Sequence, residues 1–391
     1  HNLHCLLHEK PFEGVNGSGK HNNWSLTSDD GVNLLEPGKN PHENKMFLLV
    51  LACILKAVDE HADLLRVSAA DVGNDQRLGG NEAPPAVISV FLGDQLEDVL
   101  DQILKNGEAT HSIKGEKFAT GVTTLPDFRK DATDRNRTSP FAFTGNKFEF
   151  RMLGSQDSLS NCNVVLNTIA AEAFEEACDR LEKAEDFDKE LNALIVEYTE
   201  KHKRIIFSGN GYSKEWQEEA QRRGLPNLPT MVDAIPALTT DASIEMFEHF
   251  KVFTKAELSA RAEIQYEIYA KAINIEARTM IDMATKQIIP AVVKYTTVLA
   301  ESVNQVRAAG GNYNVSVQER LLEKTSALLA ESYEALNHLA EVTEEIEKKE
   351  EGPERARYCL DVIMPAMTAL RTPVDKLEMI VDKEMWPMPS Y

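Results

Sequence analysis

The 391-residue chain has no CxxC pair, no long apolar run, no excess of basic residues and no repeat of fixed period. Each absence removes a class of protein. Five cysteines (Cys5, Cys53, Cys162, Cys178, Cys359), odd in number and widely spaced, indicate neither a disulfide framework nor a zinc knuckle and point to a reduced, intracellular protein. No stretch approaches the roughly 20 apolar residues that span a bilayer; Met46 to Leu55 is too short and reads as a core helix. A formal net charge of −21 argues against a nucleic-acid surface or an anionic membrane as partner. Anionic substrates must therefore be caught by local clusters of Arg and Lys.

Two segments far apart in the chain carry the chemistry, Asn16-Gly17-Ser18-Gly19-Lys20-His21 and Lys147-Phe148-Glu149-Phe150-Arg151. In an extended strand alternate residues share a side, about 7 Å apart. Lys147, Glu149 and Arg151 then form one polar wall, with Phe148 and Phe150 behind it. A carboxylate between two cations suits a site that holds a divalent metal and polyanionic phosphate together, because metal and cations share the neutralisation. Gly14 to His21 nearly satisfies the phosphate-loop pattern, but His21 stands where a magnesium-binding Ser or Thr is required, and Asn22 to Leu26 begin no convincing helix. A phosphate-loop NTPase is therefore disfavoured. Two readings of the turn stay open: backbone approaching a ligand with His21 as a metal-competent imidazole, or a tight hairpin with His21 as a hydrogen-bonding loop residue.

Composition divides the chain near Cys162, into residues 1–162 and 163–391. The first part has Gly, Asn and Pro clusters, short alternating strands and one helix from about Pro41 to Leu65, with Phe47, Val50, Leu51, Ile54 and Val58 on its apolar face. Helical periodicity dominates the second, over residues 163–203, 260–308 and 317–349, with breaks at Gly209-Asn210-Gly211, Gly224 to Pro229 and Gly310-Gly311. Leu322, Thr325, Leu329, Ser332, Leu336, Leu339, Thr343 and Ile346 form an imperfect heptad seam, which reads as packing within the chain rather than between chains. The fold class expected is α+β, strands flanked by helices and then a mainly helical region. The chain begins at His1 without an initiator Met, on residues that read as an interior strand, so it is expected to be a fragment of a longer protein.

Taken in order, Glu9-Lys10-Pro11, Asn16 to His21, Ser25, Asn81-Glu82-Ala83-Pro84, Asn136-Arg137-Thr138-Ser139 and Lys147 to Arg151 resemble the catalytic-domain signatures of glutamine synthetase. The long segment between Pro84 and Arg135, the helix-rich tail, Gly209 to Ser213 and Met385-Trp386-Pro387 resemble the type III class of that family. The resemblance implies antiparallel strands forming part of an active-site barrel in residues 1–162, and a helical, class-specific region in 163–391. It implies that His21 and Glu149 ligate Mg2+ or Mn2+, and that Asn16, Gly17, Arg77 and Arg151 contact glutamate. Ser25 and Lys147 would lie at the nucleotide, Arg137 would stabilise the phosphoryl group in flight, and Glu82 would be the acid of a flap that closes over substrate. Lys147 replaces the more usual Arg and keeps charge without the planar fork. The shortened spacing between Arg77 and Glu82 makes Arg66 a substitute for Arg77, and an Arg of the common pattern is Ala142 here.

The activity implied is ATP-dependent joining of ammonia to glutamate through γ-glutamyl phosphate, in a cytoplasmic homo-oligomer of two stacked hexameric rings, with ATP as co-substrate. The family builds its site between subunits and takes further metal-binding glutamates from strands upstream of the histidine turn, so this chain would hold about half a site. The alternatives are a non-catalytic scaffold subunit of the same fold, and a related carboxylate–amine ligase or guanidino kinase acting on another acceptor.

Overall fold

The computed structural model describes residues 15–80, 83–112, 117–118, 128–129 and 136–388. Glu82, with Asn81 and the Glu9-Lys10-Pro11 segment, lies outside the described residues. The chain divides into two compact units, 1–262 and 263–391. The change of composition near Cys162 is a boundary of residue usage, whereas this is a boundary of packing.

In the first unit, strands β1 (Asn22–Trp24), β2 (Val90–Phe91), β5 (Phe141–Phe143) and β6 (Phe148–Phe150) form a sheet in the order β1-β6-β5-β2, while β3 (Lys117–Phe118) and β4 (Phe128–Arg129) pair separately. β1 and β5 flank β6 antiparallel, and β2 joins β5 in parallel at the edge of the sheet. A parallel neighbour needs a crossover, and α4 (Asp94–Asn106) lies on the connection that leaves β2. The α+β class holds.

Behind the sheet, Phe141, Phe148 and Phe150 are fully buried. The Phe141 and Phe148 rings stack at 4.6 Å, and Phe143 meets the Phe47 ring of α1 (Lys45–Glu60) at 5.9 Å. α1 begins where the Asn44 side chain accepts from the Phe47 amide at 3.1 Å. It packs on α5 (Leu159–Glu182) and α6 (Phe187–His202). The helix expected to run from Pro41 to Leu65 is three pieces: a 3-10 turn at Pro41–Glu43, α1, and α2 (Ala62–Val67), with His61 (φ −119°, ψ 32°) outside the helical range between the last two. Similarly, the periodic stretch 163–203 is a pair of helices, because Asp186 starts α6 afresh by accepting from the Lys189 amide. α3 (Val72–Arg77), α7 (Lys214–Arg222), α8 (Met231–Ala234) and α9 (Asp241–His249) complete this unit's principal helices.

α10 (Lys255–Met283) leads through a π-helical turn at Ala284–Ile288 into α11 (Ile289–Ala308). The turn stands just before Pro290, which has no N–H for the regular ladder. α12 (Ser316–Glu344) packs on α11 and on α14 (Met364–Glu378), with α13 (Pro353–Tyr358) short between. Its seam is buried at Thr325, Leu328, Ser332, Leu336, Leu339 and Thr343, within the chain as expected, except that Leu328 rather than Leu329 is the deeper residue.

Candidate active site

Within β6 the side chains alternate as expected. Phe148 and Phe150 point into the core while Glu149 faces the other side, flanked in register by Asn23 of β1 and Ala142 of β5. The Arg expected by the common family pattern at 142 would stand directly beside Glu149; here the position is a buried Ala. His21 precedes β1 by one residue and lies on the Asn23 side by the same alternation. Its Nδ1 is 2.8 Å from Glu149 Oε1. The second carboxylate oxygen, Oε2, accepts from Arg151 Nε at 3.0 Å and Nη2 at 2.8 Å. Burial pushes the Glu149 carboxyl up, but the hydrogen bonds and charges of Arg151 and His21 outweigh it and hold the group below the usual carboxylate range. Glu149 is thus kept as a carboxylate with one oxygen turned towards an imidazole.

This donor pair suits a hard or borderline divalent cation. Among the described residues no group of three or more His, Cys, Asp or Glu side chains is placed to hold a metal. His21 and Glu149 fit as part of a cation site whose other ligands lie elsewhere. Gly19 bridges Gly154 and the Lys20 amide donates to Leu153 O at 3.0 Å, so this end of the turn lies along the chain beyond Arg151, with His21 hydrogen-bonded to Glu149.

The other expected residues fall at different distances from this pair. Asn16 is exposed and Gly17 half-buried on the segment leading into β1; Ser25 is exposed just past it, and Lys147 is half-buried in the bend just before β6. Arg137 is exposed in the turn 136–139. Arg151, expected to contact substrate, is 4% exposed and also donates from Nη1 to Asn136 O at 2.5 Å. Arg77 is buried, donating to Asn74 Oδ1 (3.2 Å), Met152 O (3.1 Å) and Arg151 O (3.3 Å). A Cβ at Gly19 would come within 2.1 Å of its Nη2, so glycine is what lets the histidine turn lie across this guanidinium. Arg66, the substitute, is committed to Leu228 O at 2.9 Å and Asp75 at 3.5 Å. Sequence reasoning assigned no role to Asn136, whose side chain holds the Arg137 turn, or to Gly211, whose backbone amide donates to Thr138. Their presence in two quoted motifs was the available signal.

Residues 190–307 match the family described as the glutamine synthetase C-terminal domain. The chain is 41% identical to the type-3 glutamine synthetase of Dictyostelium discoideum, with all of this chain covering 54% of that protein. It is 42% identical to the glutamine synthetase of Butyrivibrio fibrisolvens (56% of that protein) and 37% identical to that of Bacteroides fragilis strain YCH46 (55%), again along its whole length. The resemblance to the glutamine synthetases, type III among them, therefore holds throughout the chain. The chain spans about half the length of the curated relatives it matches.

Proposed function

We propose that this chain is the C-terminal catalytic portion, with its helical tail, of a glutamate–ammonia ligase that makes glutamine with ATP and serves nitrogen assimilation. The observation that carries the reading is the His21–Glu149 pair at 2.8 Å, braced by Arg151 from the opposite side of the carboxylate, in a chain similar to glutamine synthetases along its whole length. A non-catalytic scaffold has no use for a buried carboxylate held ionised beside an imidazole.

A carboxylate is a poor electrophile, so ATP first converts the glutamate side chain into γ-glutamyl phosphate, from which ammonia displaces phosphate. Bound by His21 and Glu149 together with ligands from beyond this chain's half of the site, Mg2+ or Mn2+ would supply positive charge against the transferring phosphoryl group. The protein supplies the rest as fixed charge. Arg137, exposed on its turn, stabilises the phosphoryl group; Arg151 keeps Glu149 ionised and adds a second cation to the wall. Asn16 and Gly17 hold the amino-acid end of glutamate, Ser25 and Lys147 attend the nucleotide, and Glu82 takes a proton from ammonium and keeps water from the acyl phosphate. Arg77 enters from behind, holding the strand that carries Arg151. Residues 1–162 are the catalytic part, 163–391 the class-specific helical part. We place the protein in the cytoplasm as a homo-oligomer of two stacked hexameric rings; among the described residues no helix is long and apolar enough to cross a membrane.

The test is glutamine formation by the full-length protein from glutamate, ammonium and ATP. Glu149→Ala is expected to lower turnover by about 10²-fold or more and to weaken Mn2+ binding measured by calorimetry, with the thermal unfolding transition retained. ATP consumed without glutamine would refute the ligase reading, and wild-type Mn2+ affinity in the variant would refute the assignment of Glu149. A fully active monomer in light scattering would refute the rings.

A further inference from the structure

The Arg137 turn is held by a loop from the helical part of the same compact unit. Asn136 uses its whole amide: Nδ2 donates to Ser208 O at 3.1 Å and Gly209 O at 2.7 Å, while Oδ1 accepts from the Thr138 amide at 3.0 Å and Thr138 Oγ1 at 2.7 Å. Thr138 Oγ1 in turn accepts from the Gly211 amide at 2.8 Å. The approach is close enough that a Cβ at Gly211 would lie 2.9 Å from Thr138 O and 3.4 Å from Pro85 Cδ. Asn136 O receives Arg151 Nη1 on the wall side.

The loop is itself anchored at both ends. The Phe207 amide donates to Val90 O of β2 at 2.9 Å, and its ring stacks on Trp216 at 3.7 Å. Ser208 Oγ is bonded to Glu97 of α4, and Ser213 caps α7. A turn gripped between this loop and Arg151 has little freedom to move its apex, and a cation that must meet a phosphoryl group in flight needs that restriction.

We propose that Asn136 is a positioning residue for Arg137, and that the 208–211 backbone, made approachable by Gly211, is the footing it needs. This rests on the reading of Arg137 given above. Asn136→Asp keeps size and the acceptor to Thr138 but turns an oxygen towards two carbonyls; Gly211→Ala leaves Asn136 intact and pushes the loop off Thr138.

In the full-length protein, Asn136→Asp is expected to lower kcat by about 10²-fold and Gly211→Ala by about 10-fold, each with a much smaller change in KM for glutamate. In an Arg137→Ala background, Asn136→Asp should cost under about threefold, since a residue acting through Arg137 has nothing left to position. Equal losses in both backgrounds would overturn the proposal, as would a Gly211→Ala protein with wild-type kcat. Hydrogen exchange of the 136–139 segment is expected to rise in both single variants, and unchanged exchange also overturns the clamp. That measurement needs no turnover. An inactive wild-type protein with faster exchange in the variants would therefore overturn the ligase reading while keeping the clamp.

Discussion

The two compact units bury polarity in different ways. Among the described residues, the first buries full charges: Lys56, Asp59, Arg66, Arg77, Glu149 and Arg151 are all below one-tenth exposed. Each has a partner close by, as in Lys56 to Glu176 at 3.0 Å, and Asp59 to His202 and Arg204 at 2.8 and 2.9 Å. In the second unit the buried polar side chains among the described residues are hydroxyls of α12, Thr325, Ser332 and Thr343. Ser332 and Thr343 donate to the carbonyls four residues earlier, at 2.7 and 2.6 Å. Removing a charge from water costs several kcal/mol and demands matched partners, whereas a hydroxyl bonded to its own helix satisfies itself locally. The first unit therefore has the kind of interior that fixes charged groups for chemistry, and the second has the kind that packs helices.

The comparison predicts that single deletions in the first unit's charge network hurt most. Lys56, on α1, bridges Glu60 and Glu176. Burial alone would lower its pKa, but the bonds to the two carboxylates raise it above its usual value. The carboxyls of Glu60 and Glu176 are held down, burial being outweighed by Lys56 with, respectively, Lys201 and Tyr198. Lys56→Ala takes the buried cation from between these carboxylates, leaving Glu60 to Lys201 and Glu176 to Tyr198, and should cost about 3 kcal/mol, read from the urea midpoint. A loss under about 1 kcal/mol would show the network to be no stronger than a surface pair.

A second effect, with a definite pH window, comes from Asp75. Its carboxylate accepts from the Met231 amide at 2.9 and 2.8 Å and lies 3.5 Å from Arg66. Burial nevertheless pushes the carboxyl up to about 7 from an ordinary 3.8. A folded pKa above the unfolded one means that the folded state binds the proton more tightly. The contribution is fully present below the unfolded pKa and is lost as pH rises towards 7. Asp75→Asn should remove that slope: the wild-type minus variant difference in unfolding free energy falls from pH 4 to pH 7 and then levels. A flat difference across the window would mean that Arg66 keeps Asp75 ionised throughout.

What the sequence discloses follows the range of the interactions. The alternation that sets Glu149 opposite Phe148 and Phe150 is legible because period two is a local signal. The approach of His21 to Glu149 joins residues distant in the chain, and only the resemblance brought them together. The resemblance placed Arg77 among the substrate-contacting residues; its burial against Asn74, Met152 and the Arg151 backbone goes with the close approach of Gly19, which no local pattern encodes. The restarts at His61 and Asp186 were missed because apolar periodicity continues through both and neither contains Gly or Pro. Parallel pairing of β2 with β5 depends on a crossover that pattern reading does not close.

The smallest expected effect lies in the second unit, and it tests the other half of the comparison. Ser332 is fully buried on α12, and its hydroxyl donates to Leu328 O at 2.7 Å. Ser332→Ala loses that bond but gains helix propensity, and the Leu328 carbonyl still accepts from the helix ladder, so no polar group is left without a partner. The two changes nearly cancel, and the net change in stability should lie within about 1 kcal/mol. Its neighbour on the seam sets the scale. Leu336→Ala removes a buried apolar side chain and should cost about 2–5 kcal/mol. Urea unfolding of the two variants side by side decides the matter. If Ser332→Ala costs as much as Leu336→Ala, the hydroxyl serves something besides its own helix, and the second unit carries a polar dependence like that of the first.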